Sequence, residues 1–150
     1  MPDRAKEQPT IVVALDFGLR RIGIASGDTL TRAAHPRTTI TNGPHGPDWR
    51  ALERVLADTR PSLLAVGEPY NADGSASPLT DAARRFASEL ATRSSLTVDL
   101  VDERWSSQDA EERLRSQRAS GERKRRVTRE DVDAAAAAII LERWFAKRDT

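Results

Sequence analysis

The amino-acid sequence predicts an α/β domain, a mixed sheet of five strands with helices on its faces. Three observations predict it. Short apolar, β-branched runs alternate with stretches of helical spacing that carry recognisable caps, the pattern of a sheet covered by helices. The chain has 150 residues, 38% hydrophobic and 31% charged, enough length and apolar content to bury one core. It shows neither an internal repeat nor a linker that would split it.

The elements follow in order. Residues 1–9 (MPDRAKEQP) are polar, read as a disordered lead-in, and hold no apolar stretch of secretory type. Residues 11–15 (IVVAL) form a continuous apolar run, as in a strand buried on both faces. Asp16, Phe17 and Gly18 break it, and residues 22–25 resume as a second strand. With Gly18 and Gly23 nearby, the pair reads as a hairpin. A third strand is expected around residues 36–41, followed by a loop over 42–47 (NGPHGP). Asp48 caps a helix to about Thr59 that places Trp49, Leu52, Val55 and Leu56 on one side. Residues 63–66 form a short strand opening into a Gly-, Ser-, Asn- and Pro-rich loop over 67–78. Ser77 followed by Pro78 starts a helix to about Arg93. A fifth strand covers residues 96–101. Ser106 with Asp109 begins a helix carrying Ala110 and Leu114, residues 115–126 read as mobile, and Thr128 with Asp131 resembles a capping box for a last helix to about Lys147.

Composition narrows the chemistry. The chain has no cysteine, which removes disulfides, thiolate zinc sites and cysteine nucleophiles. Its two histidines, His35 and His45, lie in Pro- and Gly-rich surroundings and read as surface residues. The longest strictly apolar run, residues 134–141, is far short of the ~20 that a bilayer span needs. A soluble, cytoplasmic protein is expected, with any chemistry resting on carboxylates and hydroxyls.

The net charge of +1 hides strong segregation. Between residues 113 and 129 stand Arg113, Arg115, Arg118, Arg123, Lys124, Arg125, Arg126 and Arg129, eight basic side chains against the one acid Glu122, a local +7. Residues 99–112 hold six acids against Arg104. A polyanion needs only a local basic field, so the near-neutral total does not exclude nucleic acid. A solvated charge run is the bland alternative.

Three predicted strands end in acid: Asp16 after the first, Glu68 after the fourth, Asp102 and Glu103 after the fifth. Ligands of such sheets bind beyond the carboxyl ends of the strands. Each acid alone could be a turn former. Asp133 is more informative. At about 100° per residue, Ala137, Ile140 and Trp144 all fall within about 40° of it, on the stripe that should dock on the sheet. A carboxylate there is costly unless it is paired or binds a metal. Two readings stay open, a metal site and an ion pair with Arg21 or Arg104. If Asp16, Glu103 and Asp133 converge, with Glu68 as a possible fourth, they form an all-oxygen site suited to Mg²⁺ or Mn²⁺. Such a site fits phosphodiester cleavage, one ion activating water and another steadying the leaving oxygen, with the basic segment holding the backbone. A guanidinium clamped on Asp133, or an Asp133 carboxyl turned from Asp16, would bring that hydrolytic account down.

Four motifs in order resemble the YqgF (RuvX) family of Holliday-junction resolvase-like nucleases that process the 5′ end of pre-16S rRNA. Residues 16–23 (DFGLRRIG) resemble its D-x-G-x-x-R-I-G signature, residues 71–75 (NADGS) its N-x-D-G-S loop, residues 102–107 (DERWSS) its D-E-R-[LW]-[ST]-[ST] block, and residues 132–137 (VDAAAA) the start of its final helix. The resemblance implies an RNase H-like fold and a divalent-metal nuclease site, with Asp16, Glu103 and Asp133 on the acidic positions. Arg21 and Arg104 fall on the basic positions, orienting carboxylates or touching the scissile phosphate. Two departures stand out. Glu68 follows Gly67 where the family usually has a hydrophobic residue, a position at which RuvC-type resolvases place an acid; it is read as an extra ligand, a substitute for Glu103, or a solvent-facing glutamate. Asp131 replaces a frequent lysine, which either weakens substrate contact through the lost positive charge or strengthens the helix N-terminus.

The expected activity is metal-dependent cleavage of structured nucleic acid, a pre-rRNA or branched DNA, with Arg123, Lys124, Arg125 and Arg126 gripping the strand. A two-fold symmetric junction would favour a homodimer. The competing readings are a non-catalytic RNase H-like module that binds nucleic acid or a pre-ribosome, and an actin-like ATPase, for which 150 residues supply one lobe where two are needed.

Overall fold

The structure, a computed structural model, describes residues 9–103, 106–119 and 128–148, without the side chains of 106–109. The expectations for Arg104 and for Arg123, Lys124, Arg125 and Arg126 lie outside the described residues.

Strand β1 (Ile11–Phe17) pairs antiparallel with β2 (Arg21–Asp28), and β2 with β3 (Ala34–Gly43), which turns into the two-residue strand β4 (Gly46–Pro47). Helix α1 (Trp49–Thr59) leads to β5 (Leu63–Glu68), which lies parallel to β1 on its other side. Helix α2 (Pro78–Ser94) then leads to β6 (Thr97–Asp102), parallel to β5. Helices α3 (Ser106–Ala119) and α4 (Arg129–Arg148) complete the chain. The sheet order is β4-β3-β2-β1-β5-β6. The sheet thus has six strands rather than the expected five. The added one is β4, where the expected loop over 42–47 folds back on Asn42 and Gly43, with Gly46 at a positive φ of 104° making the turn. Residues 115–119, expected to be mobile, continue α3.

Capping chemistry sets the helix starts. The Asp48 carboxylate accepts from the Ala51 amide, and Ser77 and Thr80 form a reciprocal box ahead of Pro78. Thr128 and Asp131 bond each other's amides at the start of α4, 2.9 and 3.2 Å. Arg60 and Ser95 end α1 and α2 in the left-handed conformation and donate their amides back to Leu56 and Ala91.

Strand parity divides the core. Val13, Leu15, Phe17, Leu64 and Val66 face α1 and α2 together with Leu52, Phe86 and Leu90. Val12, Ala14, Ala65 and Val101 face Ile140, Leu141, Trp144 and Phe145 of α4. Those four α4 side chains are at most 4% exposed, each contributing about 1.5–3 kcal/mol of burial. Helix α3 docks on α4 through Ala110, Leu114, Ala135, Ala136 and Ile139. Among the described residues no helix is long and apolar enough to cross a membrane.

Candidate active site

Asp16 follows Val12 and Ala14 by alternation, so its side chain rises from the face that α4 covers. It sits opposite Gly23 of β2. Gly23 is a notch: a Cβ there would lie 2.0 Å from the Asp133 carbonyl oxygen and 2.9 Å from the Ala134 nitrogen. The start of α4 therefore rests directly on the sheet beside Asp16, fixed further by the Thr39 hydroxyl, which donates to the Glu130 carbonyl at 3.0 Å.

Glu103 follows β6 on the same face, buried at 9% exposure, its amide donating to the Glu68 carbonyl at 3.3 Å. Gly67 gives it room, since a Cβ there would meet both Glu103 Oε2 and Ile140 Cδ1 at 2.5 Å. The Asp16 and Glu103 carboxyls are hydrogen-bonded to each other. Burial raises the Asp16 carboxyl above its ordinary range; the Glu103 hydrogen bond pulls it back, and the Asp133 charge raises it further. Glu103 is pushed up to about 11 by burial first, then by its bond to Asp16 and the Asp16 charge, against the opposing Arg143. Near neutral pH Glu103 therefore keeps its proton beside Asp16.

The other acids are placed differently. Asp133 shares the apolar stripe of α4 as expected, but Arg21 Nε donates to its Oδ2 at 2.6 Å. The guanidinium clamp that brings down the hydrolytic account of three converging carboxylates is therefore present, the ion-pair alternative is the one realised, and that account falls for the arrangement seen here. Among the described residues no group of three acids or histidines is placed to hold an ion. Asp133 still acts on Asp16 through its charge. Glu68, expected as an extra ligand, does not join the cluster. It alternates with Gly67 and so points to the opposite face, where Arg84 of α2 bonds it through a short contact and also donates to the Tyr70 hydroxyl at 2.9 Å. The NADGS loop is held by its own polar side chains, with Asp73 accepting from the Ser75 amide at 2.9 Å and Asn71 donating to the Ser75 hydroxyl at 2.9 Å.

Gly23, Gly67 and Arg84 shape this region and were not singled out from the sequence as site-forming. An isolated glycine inside a strand does signal close backbone approach, so Gly23 was open to discovery. Arg84 sits on an exposed helix face with no comparable signal.

The comparisons with known proteins agree with one another. The family described as "RuvX: Holliday junction resolvase" matches residues 10–147. The chain belongs to the RuvX family. It is 43% identical to the "Putative pre-16S rRNA nuclease" of Xanthomonas axonopodis pv. citri (strain 306) over 99% of this chain and 96% of that one. The protein of the same name from Xanthomonas oryzae pv. oryzae (strain PXO99A) is 45% identical over 92% of this chain and 88% of its own. RuvX membership places the chain among nucleases, enzymes of the hydrolase class. Among solved structures, Thermus thermophilus RuvC in complex with a Holliday junction substrate matches with a TM-score of 0.54 at 19% identity, over 93% of this chain and 96% of that one. The yeast mitochondrial Holliday junction resolvase Ydc2 matches at 0.51 and 9% identity, over 91% and 78%. At these identities the likeness shows the fold, which is that of the RNase H-like resolvases.

Proposed function

We propose that this RuvX protein is a divalent-metal-dependent nuclease that cuts phosphodiester bonds of structured nucleic acid, the 5′ region of a pre-16S rRNA or a Holliday junction. The observation that carries the reading is the Asp16–Glu103 pair, a half-buried and a buried carboxyl brought together at the ends of separate strands. Holding two acids together away from water is costly, and the donors are all hard oxygens. The residues present therefore fit Mg²⁺ or Mn²⁺, with Asp16 and Glu103 as its holders and Asp133 as a third once Arg21 releases it. When bound, such an ion offsets the charge that develops at the reacting phosphate and promotes ionisation of water.

The chain's own residues do the rest. Glu103 gives up its proton on loading. Arg21 is placed to exchange the Asp133 carboxylate for a substrate phosphate, which returns Asp133 to the site. Arg104 and the run Arg123, Lys124, Arg125 and Arg126 supply the field that holds the backbone. A two-fold symmetric junction would engage two copies of the chain.

The test is cleavage of a precursor rRNA fragment and of a four-way DNA junction by purified protein with Mg²⁺, with Mn²⁺ and with chelator. Products that vanish with chelator and with Asp16→Asn are expected; cleavage indifferent to both rules the site out. Glu68→Gln is expected to cleave normally while Glu103→Gln does not. The Arg21 clamp favours a second reading, a module that grips nucleic acid without cutting. Salt-sensitive binding that survives Asp16→Asn and Asp133→Asn, with no products from the wild type, would establish it.

A further inference from the structure

The turn between β1 and β2 presents two side chains beside the site that no described residue engages. Leu19 is 71% exposed, and Arg20 is exposed with no described residue paired to its guanidinium. Their backbone, in contrast, is tightly held. The Gly18 amide donates to the Arg21 carbonyl at 2.9 Å. Asn42 of β3, itself 8% exposed, donates its amide to the Arg20 carbonyl at 2.8 Å and its side-chain Nδ2 to the Gly18 carbonyl at 2.7 Å. A buried asparagine thus spends both donors on bracing a turn whose tip faces water. The tip begins three residues beyond Asp16 and ends directly before Arg21, at the end of the sheet where strands β1 and β6 deliver Asp16 and Glu103.

From this placement we infer that Leu19 and Arg20 form a preorganised nucleic-acid contact, with Leu19 seated against an unstacked base next to the scissile phosphate and Arg20 on a flanking phosphate. This rests on the nuclease reading above and adds a source of preference for branched or unpaired nucleotides. A largely exposed leucine has no partner in regular duplex, where base faces are covered, but fits the exposed face of a base at a branch point or bulge. The adjacent free guanidinium sets the occupant's charge as negative. Bracing by Asn42 lowers the ordering cost of the contact, because the turn is already fixed before binding.

The experiment uses a four-way DNA junction and an rRNA-precursor hairpin, each carrying 2-aminopurine beside the branch or loop, and a linear duplex of the same sequence. Binding is read by anisotropy and unstacking by 2-aminopurine fluorescence, with cleavage followed separately. Leu19→Ser is expected to lose the fluorescence rise and to bind the branched probes about tenfold more weakly, with the linear duplex unaffected. Arg20→Gln is expected to weaken all probes alike and to lower the slope of log affinity against log salt by about one. Leu30→Ser, 74% exposed at the far end of β2, serves as control and should match wild type. A Leu19→Ser protein that unstacks and binds like wild type overturns the inference while leaving the nuclease reading intact. A wild type that binds none of the probes overturns both.

Discussion

Glu103 keeps its proton near neutral pH because burial and the Asp16 carboxylate both penalise its charged form. In the unfolded chain the same side chain ionises in the ordinary glutamate range, about pH 4.3. Between that value and the raised one the folded state binds more protons than the unfolded state, so stability falls as pH rises through the interval. Below it the two states are equally protonated and the penalty is absent. Glu103→Gln removes the titration while keeping an N–H donor for Asp16. In ion-free solution the variant should melt with wild type near pH 4 and a few degrees above it near pH 8. Thermal unfolding across that range decides it, and a variant less stable than wild type near pH 8 contradicts the proton held by Glu103. Arg21 gives a second residue-scale expectation. Its ion pair with Asp133 is partly screened, the two side chains being 29% and 23% exposed. Arg21→Ala should therefore cost only about 1 kcal/mol. It should also tighten Mn²⁺ binding, by freeing Asp133, while slowing cleavage. Calorimetric titration of Mn²⁺ checks the first effect and product formation the second.

At the scale of elements, the site exists because α4 lies in contact with β2, and that depends on Gly23. A methyl group there has no route to relief, because the colliding atoms are the backbone of Asp133 and Ala134 rather than a flexible tip. Gly23→Ala should lower stability by about 3 kcal/mol or more and abolish cleavage. Gly43→Ala, which meets nothing within 4 Å, should be near neutral. Gly67→Ala is intermediate, since it presses on the ends of the Glu103 and Ile140 side chains, and its effect should fall on metal binding more than on unfolding. Denaturant titration of the three variants orders them. The helix starts behind these contacts were legible in the sequence because Asp48, Ser77 and Thr128 cap through local spacing alone. The strand β4 was not, since two residues pairing across a tight turn leave no periodicity to read. The face that Glu68 takes was not legible for a related reason, which left its readings as ligand, substitute for Glu103 or solvent-facing glutamate open. Its neighbours Leu64 and Val66 are buried exactly as much as Ala65, so the run shows no alternation to reveal which face an acid at its end would take.

At the scale of the whole molecule, the two faces of one sheet do different work. One is filled by leucine, isoleucine and phenylalanine under α1 and α2. The other carries α4, whose alanine run from Ala134 to Ala138 is at most 7% exposed and lets the helix lie close to the sheet and to α3. The close approach brings Asp133 within electrostatic reach of Asp16, and the topology adds Glu103 from the far strand β6. Motif spacing could nominate these acids, but whether Asp133 faced a cation or Arg21 depended on a pairing 112 residues apart in sequence.

Three segments of the chain therefore meet at one charge centre, and an ion bound there would link them in the folded state only. Mg²⁺ or Mn²⁺ should raise the melting temperature of the wild type by an amount that grows with the logarithm of ion concentration. The same titration of Asp16→Asn should show little rise. Because the ion displaces the proton that Glu103 holds, the rise should be larger near pH 8 than near pH 6, and binding should release protons. Calorimetry in two buffers of different ionisation enthalpy measures that release directly. A melting shift that is independent of pH, with no proton released, would place the ion away from the Asp16–Glu103 pair.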